Sequence, residues 1–379
     1  MVELTKILSR NLLAEKVAIV IGTRPGIIKM SPLYHEAKRR CIEPLLIHTG
    51  QHFSFNMDKA IMADCELPEP DYHIKLDEDE RTHARQTAKM MVGVEDILLK
   101  ERPKLILVCG DANTNFAAAV AARKLHIAVG HVEAGLRSHD WAMPEEHNRV
   151  MIDHISEYLF APTEECRENL QKENVKGEIH VVGNTIVDVV FSGKRRAEKR
   201  SKILQELSLV SSDYVLLTLH REENVDSPVK CEKFVQFLET ILPVIKHTIV
   251  YPIHPRSRMR FEQYGLMGRL LNTAKVIDPV SYLDFLMLET NGHIIMTDSG
   301  GLQEEACILG VPCFTLRENT ERWETVEVGA NHIVGFDSDM FKQAYNQVKK
   351  GGWENPFGDG HTSKKIFDVI VNLFQGKTD

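Results

Sequence analysis

At 379 residues, 43% hydrophobic and 26% charged, the chain has the make-up of a soluble globular protein and more length than one core usually takes, so two domains are expected. A formal net charge of −8 argues against a nucleic-acid surface, and no apolar run approaches membrane-spanning length. The seven cysteines include no Cys-x-x-Cys pair, the histidines form no His-Glu-x-x-His or Cys/His cluster, and the N-terminus mixes Glu3, Lys6, Arg10, Glu15 and Lys16 among its leucines; no metal, no disulfide framework and a cytoplasmic location are expected.

Val17 to Ile21 reads as a buried strand running into Gly22-Thr-Arg-Pro-Gly26, with a helix from about Ile27 to Arg40. Leu45 to His48 is a second strand, closed by Thr49-Gly-Gln-His52. A helix around Asn56 to Cys65, a Pro-rich link over 67–70 and a polar loop around Asp77 to Glu80 precede a long helix from about Thr82 to Lys100. Leu105 to Cys109 is a strand, Gly110-Asp-Ala-Asn113 a turn, and Phe116 to Leu125 an Ala-rich helix. Ile127 to Val132 is a strand leading to Glu133-Ala-Gly-Leu-Arg137, and strands follow near Tyr158 to Ala161 and Ile179 to Val182.

Between Gly193 and Leu207 the composition turns charge-rich and helical, which marks the domain connection. The pattern then restarts. Tyr214 to Thr218 is a strand ending in Leu219-His-Arg-Glu-Glu-Asn224, and Thr248 to Pro252 one ending in His254-Pro-Arg256. Ser281 stands three residues before Asp284 as a cap for a helix to Asn291. His293 to Thr297 is a strand, Asp298-Ser-Gly-Gly301 a sharp turn, Leu302 to Leu309 a helix stopped by Gly310, and Val311 to Leu316 another strand. After Ile333-Val334 and a helix near Met340 to Lys350, a last helix spans about Ser363 to Phe374. The expected domains are 1–195, 196–362 and a closing helix, 363–379, packed back on the first.

Strands alternating with helices imply an α/β fold with parallel sheets and helices on both faces, hence two doubly wound, Rossmann-like domains with a cleft between them. Ligands bind such sheets at the carboxyl ends of the strands, and the polar clusters fall there. In the Asp298-Ser-Gly-Gly301 turn, two residues without side chains open a helix, so a phosphate can approach the bare N–H groups while Ser299 offers a hydroxyl. On spacing alone that reading is even with a plain helix cap.

Asp111 follows a strand and precedes a helix, where a cap is the simpler role. Glu133 sits at a strand's ligand-facing end. Glu145 and Glu146 open a helix and can be mere dipole partners. His220 ends a strand beside Arg221. Carboxylates and an imidazole of this kind can move protons at neutral pH if burial tunes them. Arg24, Lys29 and Arg317 can neutralise a diphosphate or simply be solvated, and Glu305 can accept ribose hydroxyls or face water.

Gly22-Thr-Arg-Pro25 with Ile28-Lys-Met-Ser-Pro32, Gly110-Asp111, His131-Val-Glu-Ala-Gly-Leu-Arg137, Pro144-Glu-Glu146 with Asn148-Arg149, Thr218-Leu-His-Arg221, Thr297-Asp-Ser-Gly-Gly301 and Asn319-Thr-Glu-Arg322 occur in that order. From about residue 16 onward the chain resembles the non-hydrolysing UDP-N-acetylglucosamine 2-epimerases. The resemblance implies a GT-B arrangement closing over a UDP-sugar, with no metal or nicotinamide cofactor. It implies anti elimination of UDP to 2-acetamidoglucal and re-addition on the opposite face, giving UDP-N-acetylmannosamine.

By motif position, Asp111, Glu133 and Glu145 become acid/base carboxylates, and His220 supports the departing diphosphate or transfers a proton. Ser299, Gly300 and Gly301 hold the pyrophosphate, Glu305 the ribose, and Arg24, Lys29 and Arg317 surround the nucleotide. Bacterial members bind a second UDP-N-acetylglucosamine as activator, and Gln51, Arg85, Arg221 and His254 fall where that contact set lies. A homodimer is implied as well. The chain departs from the family pattern at Gly26, where Glu is usual, at Ala112, where Thr is common, and at Trp323, where Pro is usual. Rival readings on the same scaffold are an epimerase for a related UDP-2-acetamido sugar, a hydrolysing epimerase releasing N-acetylmannosamine and UDP, a GT-B glycosyltransferase, and an inactive nucleotide-sugar sensor.

Overall fold

The computed structural model describes residues 15–51, 55–76 and 82–375. Glu3, Lys6, Arg10, His52 and the expected loop over Asp77 to Glu80 lie outside the described residues. The described residues up to Val189 pack with the described ones from Phe357 onward as one unit, and Val190–Pro356 form a second.

The first unit is built on a seven-stranded sheet of β1 (Lys16–Ile21), β2 (Glu43–His48), β3 (Tyr72–His73), β4 (Leu105–Cys109), β5 (Ala128–Val132), β6 (Tyr158–Ala161) and β7 (Glu178–Val181), in the order β3-β2-β1-β4-β5-β6-β7. Every neighbouring pair is parallel. Its central strands are apolar on both faces, as helices above and below require. Val17, Ile19, Ile21, Leu105 and Leu107 face Met30, Leu33 and Ala37 of the helix Arg24–Arg39. Ala18, Val20, Ile106 and Val108 face Val94 and Leu98 of the helix His83–Glu101 and Ala118, Ala119 and Ala122 of the helix Asn113–Lys124. Alternate residues of one strand thus serve two cores.

The closing helix, Thr362–Phe374, sets Ile366, Phe367 and Ile370 into the first of these clusters. Asp188 accepts from the N–H groups of Thr362 and Ser363 at 3.1 and 3.0 Å, satisfying two of the helix's orphan donors. Arg40 pairs with Asp368 at 2.6 Å.

The second unit carries β8 (Tyr214–Thr218), β9 (Thr248–Pro252), β10 (Lys275–Ile277), β11 (Ile294–Thr297), β12 (Cys313–Thr315) and β13 (Asn331–Ile333), ordered β10-β9-β8-β11-β12-β13 and parallel throughout. Val215 and Leu217 pack to one side, Tyr214 and Leu216 to the other. In both sheets the strand order reverses beside the first strand, between β1 and β4 and between β8 and β11. Those are the switch points where loops part and a ligand can enter.

Several element ends differ from the sequence expectation for local reasons. The helix expected from Ile27 begins at Arg24, because the Thr23 hydroxyl accepts the Gly26 N–H at 3.3 Å and Pro25 suits a first turn. The helix expected over Met340 to Lys350 is Ser338–Tyr345, started by Asp337, whose carboxylate takes two N–H groups. Ser281 caps its helix as expected, accepting the Asp284 N–H at 3.2 Å. Gly310, with φ 72, ends the helix Gly300–Leu309 in the left-handed region.

Candidate active site

In the first unit, Glu133 leaves β5 with φ 68, a left-handed backbone that residues other than glycine rarely adopt. Strain of that kind persists where the surroundings fix the residue. Here the carboxylate is buried: the Lys29 Nζ lies 2.5 Å from one oxygen, Asn184 donates to the same oxygen at 3.0 Å, and the Cys109 thiol lies 3.7 Å from the other. Burial, and then the charge of Glu133, push the Cys109 thiol well above its ordinary value, so it stays protonated. Gly110, with φ 75, carries the chain past Glu133; a Cβ there would stand 3.3 Å from the carboxylate.

Asp111 does not cap the next helix. Ala112 occupies the cap position and no side chain caps it. The Asp111 carboxylate pairs instead with Arg149 of the helix Pro144–Ile155, and Arg149 also lies 3.1 Å from Glu146. The two neighbouring glutamates separate in role. Glu146 is buried and accepts from the Ser138 N–H at 2.9 Å, the Ser138 hydroxyl at 2.8 Å and the His139 N–H at 3.2 Å. Burial works to raise its pKa; the Ser138 donors and Arg149 outweigh that and hold it below the usual range. It is a loop clamp. Glu145 is half-buried and its side chain makes no hydrogen bond or ion pair among the described residues, which leaves its carboxyl for other work.

Behind this edge is a buried ionic group that the sequence reading missed. The fully buried His131 places Nδ1 2.6 Å from Asp153 and Nε2 3.1 Å from the Gly110 carbonyl. Asp153 also takes Arg137 at 2.8 Å and the Gly135 N–H at 3.1 Å. His131 therefore ties the turn that presents Asp111 to the loop that follows Glu133.

In the second unit the organising residue is Asp298, directly after β11. Its carboxylate, 0% exposed, accepts from the N–H of His220 at 3.1 Å, the N–H of Arg221 at 2.9 Å and the Asn224 amide at 3.0 Å. His220 Nδ1 lies 3.2 Å away, and that side chain is 44% exposed. Burial favours the neutral acid; His220 first, then the Arg221 N–H and Asn224, hold Asp298 below its ordinary value. One carboxylate thus joins the loops after β8 and β11 and fixes the imidazole through one nitrogen.

Ser299 stands at the cap position of the helix Gly300–Leu309, yet its hydroxyl makes no cap hydrogen bond. The plain-cap reading loses its main support. A Cβ on Gly301 would meet nothing nearer than the Ser299 Oγ, at 4.0 Å, so the approach to this helix start is open. Gly300 backs onto Glu321, which pairs with Arg317 at 2.6 Å and Arg221 at 2.9 Å. Burial would raise Glu321, but the Arg317 hydrogen bond and then the Arg221 charge bring it down to about 2. Helix N-terminus, two guanidinium groups and an imidazole converge on one set of loops, the makings of an anion site.

The UDP-N-acetylglucosamine 2-epimerase family model matches residues 35–371. The chain belongs to that family. It is 47% identical over 363 residues to the UDP-N-acetylglucosamine 2-epimerase of Methanocaldococcus jannaschii, an overlap of 94% of this chain and 99% of the relative. The crystal structure of the Methanocaldococcus jannaschii UDP-GlcNAc 2-epimerase in complex with UDP-GlcNAc and UDP is similar to this chain with a TM-score of 0.80 and 47% identity, covering 94% and 99% of the two chains. A UDP-2,3-diacetamido-2,3-dideoxy-D-glucuronate 2-epimerase of Pseudomonas aeruginosa is 37% identical over 366 residues, 94% of this chain and 100% of that one. The two Rossmann-like α/β units are those of the GT-B-like epimerases.

The epimerase-family positions that remain fall as follows. Arg24 is exposed at its helix start, and Arg85 is exposed on the helix His83–Glu101. The Gln51 side-chain oxygen accepts from the Thr114 N–H at 2.9 Å and hydroxyl at 2.7 Å, tying the loop after β2 to the start of the helix Asn113–Lys124. His254 caps the helix Pro255–Gln263 through Nδ1, its ring 6.2 Å from that of His220. Gly26 sits in the first turn of its helix, where a Cβ would approach the capping Thr23 hydroxyl at 3.1 Å. Trp323 opens the short helix Trp323–Glu327 and is 54% exposed. Among the described residues no group of three or more His, Cys, Asp or Glu is placed to hold a metal ion, and no helix is long and apolar enough to cross a membrane.

Proposed function

We propose that this chain interconverts UDP-N-acetylglucosamine and UDP-N-acetylmannosamine by anti elimination of UDP and re-addition with inversion at C2. The observation that carries this reading is Glu133, a buried carboxylate held at the carboxyl end of β5 in a backbone conformation the fold must enforce, with Lys29 2.5 Å from it. Asp111, Glu133 and Glu145 are the acid/base set. One carboxylate takes the C2 proton; the C1–O bond breaks and its electron pair leaves on the diphosphate, giving 2-acetamidoglucal. UDP then adds back to C1 as a proton reaches C2 from the other face.

Departure of a dianionic group needs positive charge where it develops. Ser299, Gly300 and Gly301 hold the pyrophosphate, with Arg24, Lys29 and Arg317 around the nucleotide and Glu305 at the ribose. His220, oriented by Asp298, supports the leaving diphosphate or passes it a proton. The reading includes a homodimer and a second UDP-N-acetylglucosamine as activator, at Gln51, Arg85, Arg221 and His254. The Pseudomonas relative favours one second reading, a related UDP-2-acetamido sugar as substrate.

Incubation with a panel of UDP-2-acetamido sugars and separation of the products tests this. An equilibrium mixture of the two UDP-N-acetylhexosamines is expected. Conversion of another sugar alone would move the substrate, and free N-acetylmannosamine with UDP would make the chain a hydrolysing epimerase.

Gly301→Ala separates a phosphate cradle from a simple turn. The methyl meets no close atom and alanine favours a helix, so melting temperature should hold or rise. UDP affinity by calorimetry should fall about tenfold or more, as the methyl blocks approach to the first N–H groups. Unchanged affinity would return the turn to a structural role.

A further inference from the structure

Glu289 has no part in the chemistry above, yet it is a fully buried carboxyl in the second unit. It lies on the helix Tyr282–Asn291, which packs on the helix Gly300–Leu309 beside the apolar cluster of Tyr214, Leu288, Ile295, Ala306 and Cys313. It is 0% exposed, and neither oxygen receives a hydrogen bond from a donor among the described residues. The nearby Tyr214 hydroxyl donates elsewhere, to the Leu288 carbonyl at 2.6 Å. The polar group that faces Glu289 is the carboxyl of Glu305, within hydrogen-bonding reach.

Two carboxyls that close cannot both be ionised, and the proton goes to the more buried one. Burial, and then the charge of Glu305, push Glu289 well above the ordinary carboxylate range. A protonated Glu289 has one O–H to give, and a Glu305 carboxylate oxygen is there to accept it. An O–H···O⁻ bond shielded from water is among the stronger hydrogen bonds. Leucine would fill the same space without a desolvated polar group, so the acid is hard to explain by packing.

We infer that Glu289 is a positioning residue: its carboxyl proton fixes the orientation of Glu305, and so makes the site discriminate a ribonucleotide by its ribose hydroxyls. The inference rests on the reading of Glu305 as the ribose contact. Glu305 lies half-buried on the same helix that begins with Gly300 and Gly301, so a carboxylate fixed there stands at a set distance from the pyrophosphate end.

The test is calorimetric titration of the full-length protein with UDP and with 2′,3′-dideoxy-UDP. The wild type is expected to prefer UDP. Glu289→Leu should lower that preference about five- to tenfold, and Glu289→Gln, which keeps a donor, should hold it within about twofold. Glu305→Gln should lower it at least as far as Glu289→Leu. If Glu305→Gln lowers the preference and Glu289→Leu leaves it intact, or weakens both nucleotides equally, the role of Glu289 is overturned while the ribose reading stands. If Glu305→Gln leaves the preference intact, the ribose reading fails and takes this inference with it.

Thermal melts give a second readout. A proton taken up on folding makes wild-type stability decline as pH rises above about 4.3, the unfolded value, towards the raised folded one. Glu289→Leu should flatten that decline; an unchanged slope would put the proton elsewhere and overturn the assignment.

Discussion

Glu133→Gln should lower kcat by roughly 10²–10⁴-fold, the range a positioned acid or base supplies, while UDP affinity changes less than about threefold. The amide keeps the volume and can still accept from Lys29 and Asn184, which sit 2.5 and 3.0 Å from the carboxylate. Proton transfer is lost together with the charge that faces Lys29, while the hydrogen-bond acceptor remains. Steady-state kinetics, calorimetry with UDP and a melting curve separate the outcomes. A parallel fall in activity, affinity and melting temperature would make Glu133 a structural partner of Lys29 instead.

Asp298→Asn should be damaging in a different way. The aspartate accepts three N–H donors and faces His220 Nδ1; an amide offers one oxygen and turns an NH2 towards those donors. Loss of a buried acceptor predicts a stability deficit on the order of 2–3 kcal/mol in denaturant unfolding. Misorientation of His220 predicts a fall in kcat of about 10²-fold or more. The folded pKa of Asp298 is held below its unfolded value of about 3.9, so its contribution is full above that pH and is lost as pH falls through the lower folded value. The stability gap to the variant should be widest above about pH 4 and narrow below it. A gap that widens in acid would contradict the ionised carboxylate.

The sheets were legible in the sequence wherever strands run apolar on both faces. Leu105 to Cys109, Tyr158 to Ala161, Tyr214 to Thr218 and Thr248 to Pro252 coincide with β4, β6, β8 and β9. The strands that escaped, β3 at Tyr72–His73 and β10 at Lys275–Ile277, are edge strands of two and three residues with little burial, too short for any periodicity to register. The early start at Arg24 was written in Thr23 and Pro25, a cap and a first-turn proline, and was outweighed by the apolar run from Ile27.

Site legibility followed sequence distance. Residues at strand ends were found from the strands themselves, but their partners came from far along the chain: Glu133 draws on Lys29 and Asn184, and Asp111 on Arg149. Asp298 had a signal, its place directly after a buried strand, yet the adjacent glycines drew attention to the helix start. Nothing local to Asp153 or Glu289 distinguishes it from an acid on a helix surface; only packing shows that each is fully buried.

Incubation with UDP-N-acetylglucosamine in deuterated water, followed by NMR, tests the central claim most directly. Removal and return of the C2 proton through a glycal predicts deuterium at C2 of both UDP-N-acetylglucosamine and UDP-N-acetylmannosamine, with UDP and the sugar recovered joined. Interconversion without deuterium at C2, or no exchange at all, would contradict the account.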